Sequence, residues 1–229
     1  MADKYYYEYE DAGEYCYPGT HVLVNRLDIR DASELHDVER NLTALNMIQL
    51  LDEPVKGALD FAHLKSIHKA VFNDIYAWAG MTRSVNIAKG NRFCDAGYID
   101  TYANKLFSQL KDESYLTQTE PGNVATRLAY YLGEINVMHP YREGNGRAQR
   151  VMIEYIAKVA GYQISFAAVT GQEMIQASAE AFDREYALMT AIFERIMEPI
   201  TTEEQADFVS KLTAKRGPVY MAWHKKQLK

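Results

Sequence analysis

Two apolar-striped segments joined by one short polar turn constrain this chain more than any other feature. Val124, Leu128, Tyr131, Ile135 and Met138 recur at helical spacing. Val151, Met152, Tyr155, Ile156 and Val159 do the same before Gly161. Stripes of this kind demand burial, so two helices must share a core and clamp the turn between them. That turn is His139-Pro140-Tyr141-Arg142-Glu143-Gly144-Asn145-Gly146-Arg147-Ala148-Gln149-Arg150.

Each part of the turn suits phosphate chemistry. Pro140 disfavours the α conformation at His139, which predicts that the first helix stops there and presents the imidazole at its end. Gly144 and Gly146 allow the backbone to approach a ligand closely. The N–H groups around Asn145 and Gly146 then open the second helix, where unpaired donors and the dipole favour an anion. Arg147 and Arg150 fall on one helix face, and their planar, permanently charged forks suit a polyphosphate. Glu143 is a hard oxygen ligand for a Mg²⁺ that keeps most of its waters. His139 titrates near neutrality and is the natural acceptor for a hydroxyl proton.

Taken singly, each of these residues has a plainer explanation. A lone histidine after a helix is usually a cap, Gly-Asn-Gly is usually a turn, and Glu143 with two arginines could be a surface ion-pair cluster of small consequence. The consecutive fit of all of them to one mechanism favours function. The segment resembles the signature of the Fic family, HPFx(D/E)GN(G/K)RxxR, with Tyr141 in place of the usual phenylalanine. Gly146 matches the nucleotidyl-transferring members and differs from the lysine of the Doc-type phosphotransferases. Tyr17-Pro18-Gly19, Leu23, Asn25-Arg26-Leu27 and Ile29 resemble the N-terminal run of toxin-type Fic proteins, so the likeness covers approximately Tyr17 to Pro199.

The resemblance implies AMP transfer from ATP to a Ser, Thr or Tyr hydroxyl of a target protein, with release of pyrophosphate. His139 would be the base, Glu143 the Mg²⁺ ligand, and Asn145 with the N–H groups of Gly144 and Gly146 the anion hole. Arg147 and Arg150 would hold the outer phosphates. Transfer of another nucleotide or phosphate-containing group, removal of AMP, and a non-catalytic nucleotide-binding module are the alternatives. Family members are often restrained by a helix carrying (S/T)xxxE(G/N). Ser33 with Asp37 and Thr190 with Glu194 are unfaithful copies, so the resemblance implies a separate, antitoxin-like inhibitor in trans.

Elsewhere the chain reads as helix. Asp31-Ala32-Ser33-Glu34 opens one helix that runs to about Leu51, and Asp60 caps the next, striped by Leu64, Ile67, Val71, Phe72 and Ile75. Tyr98 to about Tyr115 and Thr170 to Pro199 are also predicted helical. Between them, Val85 and Ile87 alternate with polar residues before Lys89-Gly90-Asn91, which predicts a hairpin over Ser84–Cys94. By resemblance this is the flap, with Ser84, Val85, Asn86, Ile87 and Ala88 pairing with target backbone by strand addition. The fold class is therefore all-α: a helical bundle around a helix-loop-helix motif, with one small β-hairpin.

Residues 1–200 read as one domain with a tyrosine-rich N-terminal arm (Tyr5, Tyr6, Tyr7, Tyr9, Tyr15, Tyr17) that packs its aromatics on the body. Residues 201–229 read as a helical extension ending in a solvated basic tail. No apolar run approaches the roughly 20 residues of a membrane span, and the polar, aromatic opening predicts no Sec-type signal peptide. A cytoplasmic setting follows, with secretion by a non-Sec route open. Cys16 and Cys94 read as free thiols, one bridge between them being the alternative. A net charge of −6 argues against wholesale nucleic-acid binding.

Overall fold

The computed structural model describes the backbone of residues 8–9, 14–89 and 91–228 and the side chains of 14–88 and 92–228. Two aspartates start the bundle where the sequence predicts. The Asp31 carboxylate accepts the Glu34 N–H at the head of α1 (Ala32–Asp52), and Asp60 accepts that of His63 at the head of α2 (Phe61–Phe72). Then come α3 (Ile99–Asp112), α4 (Pro121–Met138) and α5 (Asn145–Ala160), with Pro121 at a position where its missing N–H costs nothing. The chain continues through α6 (Gly171–Phe182), α7 (Ala187–Ile196), α8 (Thr202–Leu212) and α9 (Pro218–Gln227).

Helix α5 sits at the centre, packed against α2, α4, α8 and α9. Met152, Ile153 and Ile156 are wholly buried in it, each contributing about 1.5–3 kcal/mol by leaving water. A lone helix of this length is marginal in water, so the neighbours stabilise it and thereby fix the direction of its N-terminus. Val124, Leu128, Tyr131, Ile135 and Met138 are all buried on α4, as the stripe predicts.

The strands carry the corrections. The hairpin forms from β2 (Ile87–Lys89) and β3 (Asn91–Arg92), shorter than the predicted stretch, and β1 (Glu8–Tyr9) adds a third strand in the order β1-β2-β3. A second sheet pairs β4 (Tyr162–Ile164) antiparallel with β5 (Met197–Pro199), where the sequence reading continues the helix to Pro199. Met197 is extended (φ −96°, ψ 128°) because its partner Ile164 lies far away in sequence, and local periodicity carries no trace of that partner.

The basic end is helical over residues 218–227, with Lys225 and Lys226 exposed. Phe208, Val209, Leu212 and Val219 join the main buried cluster, and Lys226 Nζ donates to the Ala160 carbonyl at 3.3 Å. Tyr17 is buried and Tyr15 packs edge-on to Trp78, as expected of the arm, whereas Tyr5, Tyr6 and Tyr7 lie outside the described residues. Cys16 and Cys94 are free. Among the described residues, no helix is long and apolar enough to cross a membrane.

Candidate active site

His139 ends α4 in a left-handed conformation (φ 43°, ψ 62°), unusual for a residue with a Cβ. Its N–H still closes the helix onto Ile135, while Pro140 prevents continuation. The ring Nδ1 lies 3.2 Å from the Asn136 carbonyl. A carbonyl only accepts, so Nδ1 carries the proton in this contact and Nε2 keeps its lone pair. The imidazole is buried, and the Phe93 ring stacks on it at 3.8 Å between centroids and 17° between planes.

The loop after His139 is closed by Asn145. Its Oδ1 accepts the Tyr141 N–H at 2.8 Å and its Nδ2 donates to the Tyr141 carbonyl at 2.7 Å. The amide side chain thus staples the loop through Oδ1 and one Nδ2 proton, and the second Nδ2 proton and the backbone N–H are what Asn145 can offer a ligand. Gly144 caps α5 with φ 81°, and a Cβ there would stand 2.2 Å from the Phe72 ring. Only glycine satisfies both demands. The first helical bond at this end runs from Ala148 N–H to the Gly144 carbonyl, so the amides of 145–147 open outward.

Glu143, Arg147 and Arg150 line one cavity of about 600 Å³ between the head of α5, α1 and the segment 21–23. Arg147 is held from several sides. Nη2 donates to Glu39 at 2.6 Å and lies 3.5 Å from Glu143; Nη1 donates to Thr43 at 3.1 Å; the guanidinium rests over the Phe72 ring. Glu39 also accepts the Tyr76 hydroxyl. Glu143 accepts the Gly144 N–H at 2.8 Å, yet burial and the nearby Glu39 charge push its carboxyl up. Among the described residues Arg150 makes no ion pair. Leu35, Ala44 and Met47 give the cavity an apolar wall suited to a flat base. His139 stands outside these walls, beneath the flap.

Arg83 bolts the flap to the motif. This buried residue donates from Nε to the His139 carbonyl at 2.8 Å, from Nη1 to Val85 at 2.7 Å and from Nη2 to the Cys94 carbonyl. Its N–H reaches the Pro140 carbonyl. Of the five flap residues, Val85 and Ile87 bury their side chains with Phe93, and Asn86 accepts the Ala96 N–H. Ser84 bonds Glu14 and Tyr15, and Ala88 pairs with Glu8.

Sequence reasoning missed the contacts of Glu39, Thr43, Arg83, Phe93 and His68. His68 joins the loop to the segment before the flap. Its Nδ1 accepts the Gly80 N–H at 2.9 Å, its Nε2 faces the Glu143 carbonyl at 3.0 Å, and its ring stacks on Tyr141. No local signal marks these residues, since each acts through a partner distant in sequence.

Comparison with known proteins agrees with this geometry. Residues 58–157 match the model of the Fic/DOC family. The protein adenylyltransferase VbhT of Bartonella schoenbuchensis is 37% identical over 202 residues, covering 87% of this chain and 42% of that protein. The chain therefore spans less than half the length of VbhT. The Fic protein of Escherichia coli K12 is 35% identical over 198 residues, covering 86% and 96%. Among solved structures, BepC of Bartonella tribocorum with bound AMPPNP superposes with a TM-score of 0.76 at 27% identity, over 82% of this chain and 98% of that one. The N-terminal Fic domain of a Bartonella quintana effector with bound ADP gives 0.78 at 29% identity, over 82% and 96%. On its motif, its bundle and these likenesses, the chain belongs to the Fic/DOC family.

Proposed function

We propose that the chain is a protein adenylyltransferase that moves AMP from ATP to a hydroxyl of a target protein. One observation carries the reading: Glu143, Arg147 and Arg150 converge on a single cavity at the open N-terminus of α5, and His139 ends the preceding helix with Nε2 as acceptor. The nucleotides bound by BepC and the Bartonella quintana domain support adenine as the base.

In this reading the outward amides of the loop and the Arg147 and Arg150 forks hold the triphosphate. His139 Nε2 takes the proton from the attacking hydroxyl, whose oxygen bonds the α-phosphorus as the bond to the β-phosphate oxygen breaks. Pyrophosphate leaves. Catalysis of this kind is mostly positioning and charge stabilisation. Glu143 would hold Mg²⁺, because one carboxylate with phosphates and waters suffices for that ion, and its half-buried carboxylate belongs to the wall of the cavity that the two arginines also line. When bound, the ion would offset the negative charge of the phosphates.

Exposed Leu45, Ile48 and Leu51 on α1, the helix that walls the cavity, support docking of a separate inhibitor. Neither Asp37 nor Glu194 lines that cavity. Asp37 instead pairs with Arg40 at 3.2 Å.

The test is incubation of the purified chain and host-cell lysate with separately α-labelled ATP, GTP, UTP and CTP. Label from ATP is expected on a target and lost with His139→Ala, since removing a general base costs about 10²–10⁴-fold. Preferential label from another nucleotide would reassign the base. Unchanged labelling by His139→Ala would reject the assigned proton acceptor.

A further inference from the structure

The flap has two strands of its own and a third borrowed from the N-terminus. Residues Glu8–Tyr9 pair antiparallel with β2, Glu8 opposite Ala88 and Tyr9 opposite Ile87, and this makes β2 the central strand. The edge of β2 that faces away from β3 is therefore already taken. A second attachment follows a few residues on. Ser84 Oγ bonds the Glu14 carboxylate at 2.9 Å, and the Ser84 N–H donates to the Tyr15 hydroxyl at 3.1 Å. Tyr15 lies edge-on to Trp78, and Cys16 bridges to Leu23, so the base of the arm is anchored beside the flap.

A sheet edge offers N–H and C=O groups to whichever extended backbone lies nearest. A two-residue ladder is weak by itself, each bond contributing roughly 1 kcal/mol net. The tether changes the balance. Only residues 10–13 separate β1 from the anchored Glu14, and a short link of that kind sets an effective concentration on the order of millimolar. Free segments of lesser affinity lose to such a strand, while a partner with a longer ladder or additional side-chain contacts displaces it.

We propose that the β2 edge is an interaction surface whose resident occupant is this chain's own N-terminal strand, and that an extended segment of a target docks there by displacing Glu8–Tyr9. The target part of the statement rests on the adenylyltransferase reading; the occupancy does not. The partner it fits is an extended stretch running antiparallel to β2, recognised through its main chain and hence with little demand on sequence.

Hydrogen exchange of the amides of residues 86–89 tests it, in the full chain and in a chain lacking residues 1–12, which keeps Glu14 and Tyr15. Loss of the strand is expected to speed exchange several-fold to about tenfold. Tyr9→Pro in the full chain, which removes a backbone donor without shortening the arm, is expected to do the same. A synthetic peptide of residues 1–12 at millimolar concentration should restore protection to the shortened chain. Equal exchange in all forms, or a peptide that protects nothing, would overturn the proposal. Calorimetry with Mg-ATP on the same samples separates the two readings. Absence of nucleotide binding in every form would reject the adenylyltransferase reading and leave the occupancy standing on the exchange result.

Discussion

Arg147 is tied to Glu39, 2.6 Å away on a helix more than a hundred residues earlier in the chain. The pair is largely buried, with side-chain exposures of 21% and 11%, so each charge depends on the other. Glu39→Ala is expected to cost about 2–3 kcal/mol in denaturant unfolding, because it strands a guanidinium that loses a charged acceptor. It should also weaken ATP binding several-fold in calorimetry, the fork no longer being preset. Glu39→Gln keeps an acceptor and should recover most of both. Tighter ATP binding by Glu39→Ala would mean instead that Glu39 competes with the phosphates.

Tyr141 departs from the family's phenylalanine, and its hydroxyl is buried without a hydrogen-bond partner among the described residues. Burial alone pushes its ionisation well up. Tyr141→Phe removes an unsatisfied polar group while keeping the ring on His68. It is expected to be neutral or to stabilise by about 1 kcal/mol, read by urea unfolding. A loss of 2 kcal/mol or more would point to a hidden partner.

His68 links stability to pH. Burial holds its pKa down at about 4, against an ordinary 6.5. The unfolded chain takes up a proton below 6.5 and the folded one does not until about 4, so stability is whole above 6.5 and declines as pH falls through that window. The drop attributable to His68 is about 3 kcal/mol. Urea titrations between pH 7 and 4.5 should show it, and His68→Gln should flatten the slope. An unaltered slope in that variant would assign the effect to other groups, His63 first, whose pKa burial also lowers.

Gly144→Ala should be severe. The left-handed φ of 81° and a Cβ 2.2 Å from the Phe72 ring together cost about 3 kcal/mol. Because the displaced element is the loop, Mg-ATP affinity should fall with stability, and Phe72→Leu in the same chain should restore part of both.

Glu194→Gly separates an inhibitor in cis from one in trans. Glu194 is exposed on α7 and does not line the cavity, so self-labelling by the purified chain should stay within about twofold, beyond a helix-propensity cost of about 1 kcal/mol. A large rise would place the restraint within this chain.

The sequence by itself determined α1 to α5, the turn and the chemical types at 139–150, because those signals are local. An aspartate caps the N–H groups three residues on, a stripe repeats every turn, and proline and glycine limit their own backbone. It also revealed the family, since the signature is contiguous. Only the tertiary structure decided that Asn145 staples its own loop, that Glu39 and Thr43 hold Arg147, that Arg83 joins the flap to His139, and that Glu8–Tyr9 lie along β2. Each of these is a contact between residues with no shared period or spacing, brought together when apolar faces leave water. Burial is non-directional and says which faces meet. Which polar atoms then find each other is settled by geometry that no single stretch of chain contains.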